Sequence, residues 1–154
     1  GPMVNPAFPA NQLVGVFNLE LARLYGYLYQ KGTKNYTVLH ALDGYDEISL
    51  TGAVKMISRS SEKVLQPEDL GFSTINQTAI YGGETVTEAA DIFMKILDNN
   101  GTKAQNEVVL ANAGTAISVA KSCSLEEGIN MARESLESGA AHQALTTLQK
   151  LSSQ

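Results

Sequence analysis

Asp43, Asp46 and Glu47 place three carboxylates within five residues, in the run Leu42-Asp43-Gly44-Tyr45-Asp46-Glu47-Ile48-Ser49. Carboxylate oxygens at this density suit a hard cation. Magnesium in particular takes one or two carboxylates and completes its shell with substrate phosphate oxygens. Gly44 permits a tight backbone path, and adjacent Asp46 and Glu47 can supply the pair if the loop is irregular enough to aim both inward. The same residues also suit a simple turn, because acidic side chains beside glycine stabilise turns through the local backbone. A short acidic loop is a motif of low specificity, and on spacing alone the turn is favoured.

The elements around this loop decide where it sits. Tyr36 to Leu42 is a continuous, β-rich apolar run, as expected for a strand covered on both faces. Leu13 to Phe17 reads as a shorter buried strand. Between them Asn18 is a good N-cap for a helix with Leu21, Leu24, Tyr25 and Leu28 on one face, ended by Gly32. Strand, helix and strand within about thirty residues form a parallel βαβ unit, and ligands in such sheets bind outside the carboxyl ends of the strands. The acidic loop follows the better strand at that end.

Further along, Ala53–Ile57 and Lys63–Leu65 flank the polar turn Ser58-Arg59-Ser60-Ser61 and predict an antiparallel hairpin. Pro67 to Gly71 reads as one helical turn or a loop. The last half is helical: Thr85 with Glu88, Thr102 with Gln105, and Ser124 with Glu127 have capping-box spacing. The first of these helices puts Val86, Ala89, Ala90, Phe93, Ile96 and Leu97 on one side, and Gly101 closes it. The second, near Glu107 to Ala120, is apolar almost all round and should be central. The third breaks at Ser138-Gly139 before a last helix to about Leu151. The fold class is therefore α/β: a parallel βαβ core, an added antiparallel hairpin and a helical C-terminal half, with no internal repeat or linker in residues 1–154.

A hydrophobic share of 44% and a net charge of −5 describe a globular chain without the basic stripe that a nucleic-acid backbone requires. Nucleic acid and anionic membrane surfaces are disfavoured as partners. No apolar run approaches the roughly 20 residues of a membrane span. With no signal peptide visible and one cysteine, Cys123, the expected compartment is the cytoplasm. Gly1 is not a translation start, which leaves processing, truncation and a protease scar open.

An ordered series of motifs resembles the anthranilate phosphoribosyltransferase family. It comprises Gly1 to Ala7, Gln12-Leu13-Val14-Gly15-Val16, Asp43 to Ser49, and Pro67 to Gly71. Gly82-Gly83, Asn112-Ala113, Ser124 to Gly128 and Ser138-Gly139-Ala140 continue it in the family's order and spacing. The resemblance implies a nucleoside phosphorylase/phosphoribosyltransferase-like catalytic domain, with residues 1–154 as the C-terminal part of its larger α/β portion. It implies transfer of phosphoribosyl from phosphoribosyl pyrophosphate to the anthranilate amine, with magnesium on the phosphates and release of pyrophosphate. Asp46 and Glu47 fall on the family's magnesium pair, and Gly1 and Pro2 on a Gly-Pro that lines the anthranilate site. The resemblance also favours Gly1-Pro2 as native sequence.

The family's Gly-Thr-Gly-Gly-Asp phosphate loop, its Lys-His-Gly-Asn segment and its anthranilate-binding arginine have no counterpart in these residues. No catalytic residue is therefore assigned, and the chain alone is expected to be inactive. A cut sheet is also expected to self-associate through exposed edges, or to form a homo-oligomer. Gly82-Gly83 is read as the turn before a helix. His40 is read as a satisfied core histidine, and His142 and Cys123 as structural. Tyr25, Tyr27 and Tyr29 are read as packing. Two other functions fit: a pyrimidine nucleoside phosphorylase-like relative, and a non-catalytic binding domain of the same superfamily.

Overall fold

A computed structural model describes residues 4–153 of the chain. Strand β1 (Asn11–Gly15) leads through helix α1 (Leu19–Gln30) to β2 (Asn35–Ala41), which lies parallel to β1. β3 (Val54–Ser58) and β4 (Glu62–Leu65) add antiparallel, giving the order β1-β2-β3-β4. Short 3-10 helices at Pro67–Leu70 and Gln77–Ile80 lead to α2 (Val86–Leu97), α3 (Lys103–Lys121), α4 (Leu125–Glu137) and α5 (Ala140–Ser152). The βαβ core, the hairpin and the helical second half are as the sequence pattern expects. Among the described residues no single helix is long and apolar enough to cross a membrane.

The unbroken apolar run of β2 has its reason in the layering. Alternate residues point to opposite faces of a strand. Tyr36 and Val38 join Val14, Val16, Ala22, Tyr29 and Ile57 in a core beneath α1. Leu39 instead joins Ile48, Leu50, Val54, Leu110 and Ile129 in the core beneath the later helices. Both faces are covered, so both need apolar side chains.

Helix α1 is capped by Asn18, whose Oδ1 accepts from the Leu21 N–H at 2.8 Å. Its buried residues are Ala22, Gly26 and Tyr29, not the expected Leu21-Leu24-Tyr25-Leu28 face. Leu24 and Leu28 are exposed, while Leu21 and Tyr25 pack at the margin of the core. Close approach to the sheet selects the small residues for the centre and leaves the leucines at the rim. Tyr25, Tyr27 and Tyr29 differ in burial as read, with Tyr27 exposed. β1 ends at Gly15, and Phe17, expected inside the strand, is 67% exposed.

The helical half differs from a fully covered apolar pattern in two places. Of the expected α2 face only Ile96 is fully buried, and Val86 is 88% exposed. The apolar stripe exists, but at its N-terminal end nothing among the described residues covers it. Helix α3 begins at Lys103, set by the Thr102–Gln105 capping box, and it buries one stripe only: Leu110, Ala111, Gly114, Thr115 and Val119. The Ser124–Glu127 box forms as expected. At α2, Thr85 accepts from the Glu88 N–H, but the Glu88 carboxylate turns to the Glu84 N–H, so that box is not reciprocal. Gly83, at φ +89°, makes the preceding turn, which agrees with the structural reading of Gly82-Gly83.

Helices α3 and α4 cross at two glycines. A Cβ on Gly114 would lie 2.6 Å from the Ile129 Cα, and one on Gly128 would run into the Gly114 carbonyl oxygen. Side-chain amides tie α3 to the sheet. Asn35 Nδ2 donates to the Val119 carbonyl at 2.7 Å and Asn11 Nδ2 to the Ala120 carbonyl at 3.2 Å. They satisfy carbonyls that the end of a helix leaves unpaired.

Candidate functional site

The carboxyl ends of the parallel strands β1 and β2 lie at one edge of the sheet, and the acidic loop leaves from there. Two backbone bonds fold the chain back after β2: Gly44 N–H to the Ala41 carbonyl and Ala41 N–H to the Tyr45 carbonyl, each 2.9 Å. Gly44 takes φ +106°, a conformation glycine adopts without strain. The Asp43 carboxylate accepts from Ser49 Oγ at 3.3 Å and also from Thr51 Oγ1, tying the two ends of the loop together. Asp43 thus shapes the turn.

Asp46 and Glu47 are different. Both are exposed, both lie in irregular backbone, and among the described residues no ion pair engages either carboxylate. The backbone around them is held tightly. The Asp46 carbonyl oxygen occupies the space where a side chain on Gly15 would begin, so β1 must end in glycine for the loop to pack there. Just past the pair, the Asn112 carboxamide of α3 grips the Ile48 peptide. Its Oδ1 accepts from the Ile48 N–H at 2.9 Å and its Nδ2 donates to the Ile48 carbonyl at 2.8 Å. Ile48, Ser49 and Leu50 are buried, and Leu50 is held at φ +58°, a left-handed conformation that costs energy in a side-chain-bearing residue. On the outer flank, Gln77 Nε2 donates to the Tyr45 hydroxyl at 2.5 Å. Tyr45, Gln77, Thr78, Ile80, Tyr81 and Gly82 line a shallow cavity of about 540 Å³ there.

Asp46 and Glu47 offer two adjacent, exposed carboxylates and no more. Among the described residues no group of three or more His, Cys, Asp or Glu side chains converges on a metal-sized space. A self-sufficient protein cage is therefore not what this loop offers. Two adjacent hard oxygen donors with open positions around them fit a cation that retains waters and phosphate oxygens.

Gly1 and Pro2, the expected wall of the aromatic substrate site, lie outside the described residues. His40 is buried, with Nδ1 at 2.8 Å from the Val16 carbonyl oxygen, and serves the core as read. His142 pairs with Asp98 at 2.7 Å and Cys123 is half-buried; neither belongs to a metal-binding group. The sequence reading missed the Asn112 grip and the Gly15 seat. The signals were present: a glycine closing a strand marks close backbone approach. A lone amide in an apolar helix stretch also demands a partner.

The sequence profile of the glycosyl transferase family, a/b domain, matches residues 1–142. The chain is 59% identical over 152 residues to the anthranilate phosphoribosyltransferase of Christiangramia forsetii, covering 99% of this chain and 46% of that protein. It is 49% identical over 151 residues to that of Bacteroides thetaiotaomicron, covering 97% of this chain and 45% of that one. The chain thus spans about half the length of these relatives. Its fold superposes on anthranilate phosphoribosyltransferase from Thermus thermophilus with a TM-score of 0.84 at 28% identity, over 96% of this chain and 44% of that one. The Saccharomyces cerevisiae enzyme in complex with PRPP and Mg gives 0.80 at 20% identity, over 95% and 42%, a likeness of fold.

Proposed function

Because the chain belongs to the glycosyl transferase family, a/b domain, we propose that it is the C-terminal part of the catalytic α/β domain of an anthranilate phosphoribosyltransferase in tryptophan biosynthesis. The observation that carries this is the exposed Asp46–Glu47 pair at the carboxyl edge of the parallel strands, engaged by no ion pair among the described residues. The relatives of the same name, up to 59% identical, support it. The substrates are phosphoribosyl pyrophosphate and anthranilate, and Gly1 and Pro2 match the family's Gly-Pro of the anthranilate site. The anthranilate nitrogen forms the bond to the ribose carbon as the bond to pyrophosphate breaks, and the amine then loses a proton. Bound magnesium supplies charge neutralisation on the leaving pyrophosphate. Asp46 and Glu47 position that cation, and Asp43 keeps the turn in shape. The compartment is the cytoplasm, nucleic acid and membrane are not partners, and the chain associates with itself.

These 154 residues alone are expected to turn over nothing, because the family's phosphate loop and anthranilate-binding arginine are not among them and transfer depends on such preorganised charge. The test therefore joins this chain to the amino-terminal half of the Christiangramia forsetii relative and follows loss of anthranilate fluorescence. Asp46→Asn with Glu47→Gln keeps the shape and removes the charge. Turnover should fall about 10²-fold or more, and far more magnesium should be needed. Asp43→Asn should do much less. A double variant matching the parent at low magnesium would overturn the reading.

A further inference from the structure

Resting on the reading of Asp46–Glu47 as a metal pair, we infer that Asn112 is its positioning residue, acting with Gly15 from the opposite side. The pair is bracketed. Before it, the Ala41–Tyr45 bond closes the turn and the Asp46 carbonyl is seated on Gly15. After it, the backbone N–H and carbonyl of Ile48, which belong to successive peptide units, are both taken by one carboxamide. Asn112 is itself fixed, since its Nδ2 also donates to the Val108 carbonyl one turn back in α3, at 2.9 Å. The two peptide units that flank Glu47 are thus each held at one group, the first by its Asp46 carbonyl against Gly15 and the second by its Ile48 N–H on Asn112.

A carboxamide is a short side chain whose separate oxygen and nitrogen can serve the N–H and the carbonyl of one residue at once. Aspartate at 112 loses the donor and alanine loses both. Nothing in the helix itself requires Asn112, since alanine is the better helix former. Residues that orient metal ligands without touching the metal typically cost 10–100-fold in metal affinity when replaced.

The experiment uses this chain and manganous ion, whose paramagnetism broadens nearby amide signals even when binding is weak. In the parent, NMR broadening should centre on Asp46 and Glu47 and give a dissociation constant. Asn112→Ala should raise that constant about 10-fold or more, and Gly15→Ala, which displaces the Asp46 carbonyl, should do the same. Should Asn112→Ala lose its dispersed amide spectrum, Gly15→Ala decides. Parent-like constants in the folded variants overturn the inference and leave the metal reading standing, even where the melting temperature falls. Absence of localised broadening in the parent overturns both.

Discussion

At the scale of single residues, the start of α4 contributes a pH dependence to the stability of the fold. The Glu127 carboxylate accepts from the Ser124 N–H and hydroxyl, each at 2.8 Å, and these bonds hold its pKa below the ordinary glutamate value. A depressed folded-state pKa adds stability that is fully present above the unfolded value of about 4.3 and is lost as pH falls through the folded one. Glu127→Gln keeps an acceptor and removes the titration. The gap in melting temperature between parent and variant should therefore be constant above about pH 5 and shrink on acidification. A gap independent of pH down to 3 would refute the assignment. Such caps were legible because they are local: hydroxyl and carboxylate stand three residues apart. Gly15 at the end of a strand signalled a close approach, but not its partner Asp46, because the contact joins backbone to backbone across 31 positions.

At the scale of elements, the α3–α4 crossing depends on two glycines that periodicity treats as neutral. Gly114→Ala raises helix propensity by up to about 1 kcal/mol. The added methyl, however, meets the Ile129 Cα and N at 2.6 and 2.8 Å, main-chain atoms that no rotamer change can move. Overpacking of this kind costs about 1–3 kcal/mol, and a net loss of stability should appear as a lower urea midpoint at unchanged slope. An unchanged or raised midpoint would show that the helices can part without penalty. Strand and helix types were readable from the sequence because β2 is apolar throughout and the later helices carry caps. Helix faces were read less well. The α1 prediction followed the spacing of large apolar residues, whereas the contact with the sheet selected Ala22, Gly26 and Tyr29. The α2 prediction found a real stripe, but periodicity says which residues share a face, not whether another element covers it.

At the scale of the whole molecule, that uncovered stripe and the outer edge of β1 favour contact between copies. Val86 is 88% exposed, Phe93 52% and Phe17 67%, and β1 pairs only with β2 among the described residues. Exposed strand edges and contiguous apolar patches recruit partners. Light scattering should therefore show an apparent mass that climbs with concentration, and Val86→Lys with Phe93→Lys should flatten the climb. A strictly monomeric species in concentrated solution would count against it. The asparagine ties between sheet and α3 bear on something else, the order of events as the chain is made. Asn11 must wait for Ala120, 109 positions later, and Asn35 for Val119, 84 positions later. At roughly 5–20 residues per second, β1 leaves the ribosome on the order of 5–20 s before the helix that anchors it exists. Through that interval β1 has its sheet partner and the loop seated on Gly15 but not the helix α3 it packs against, so the nascent chain is more exposed to chaperone capture and misassembly before α3 emerges.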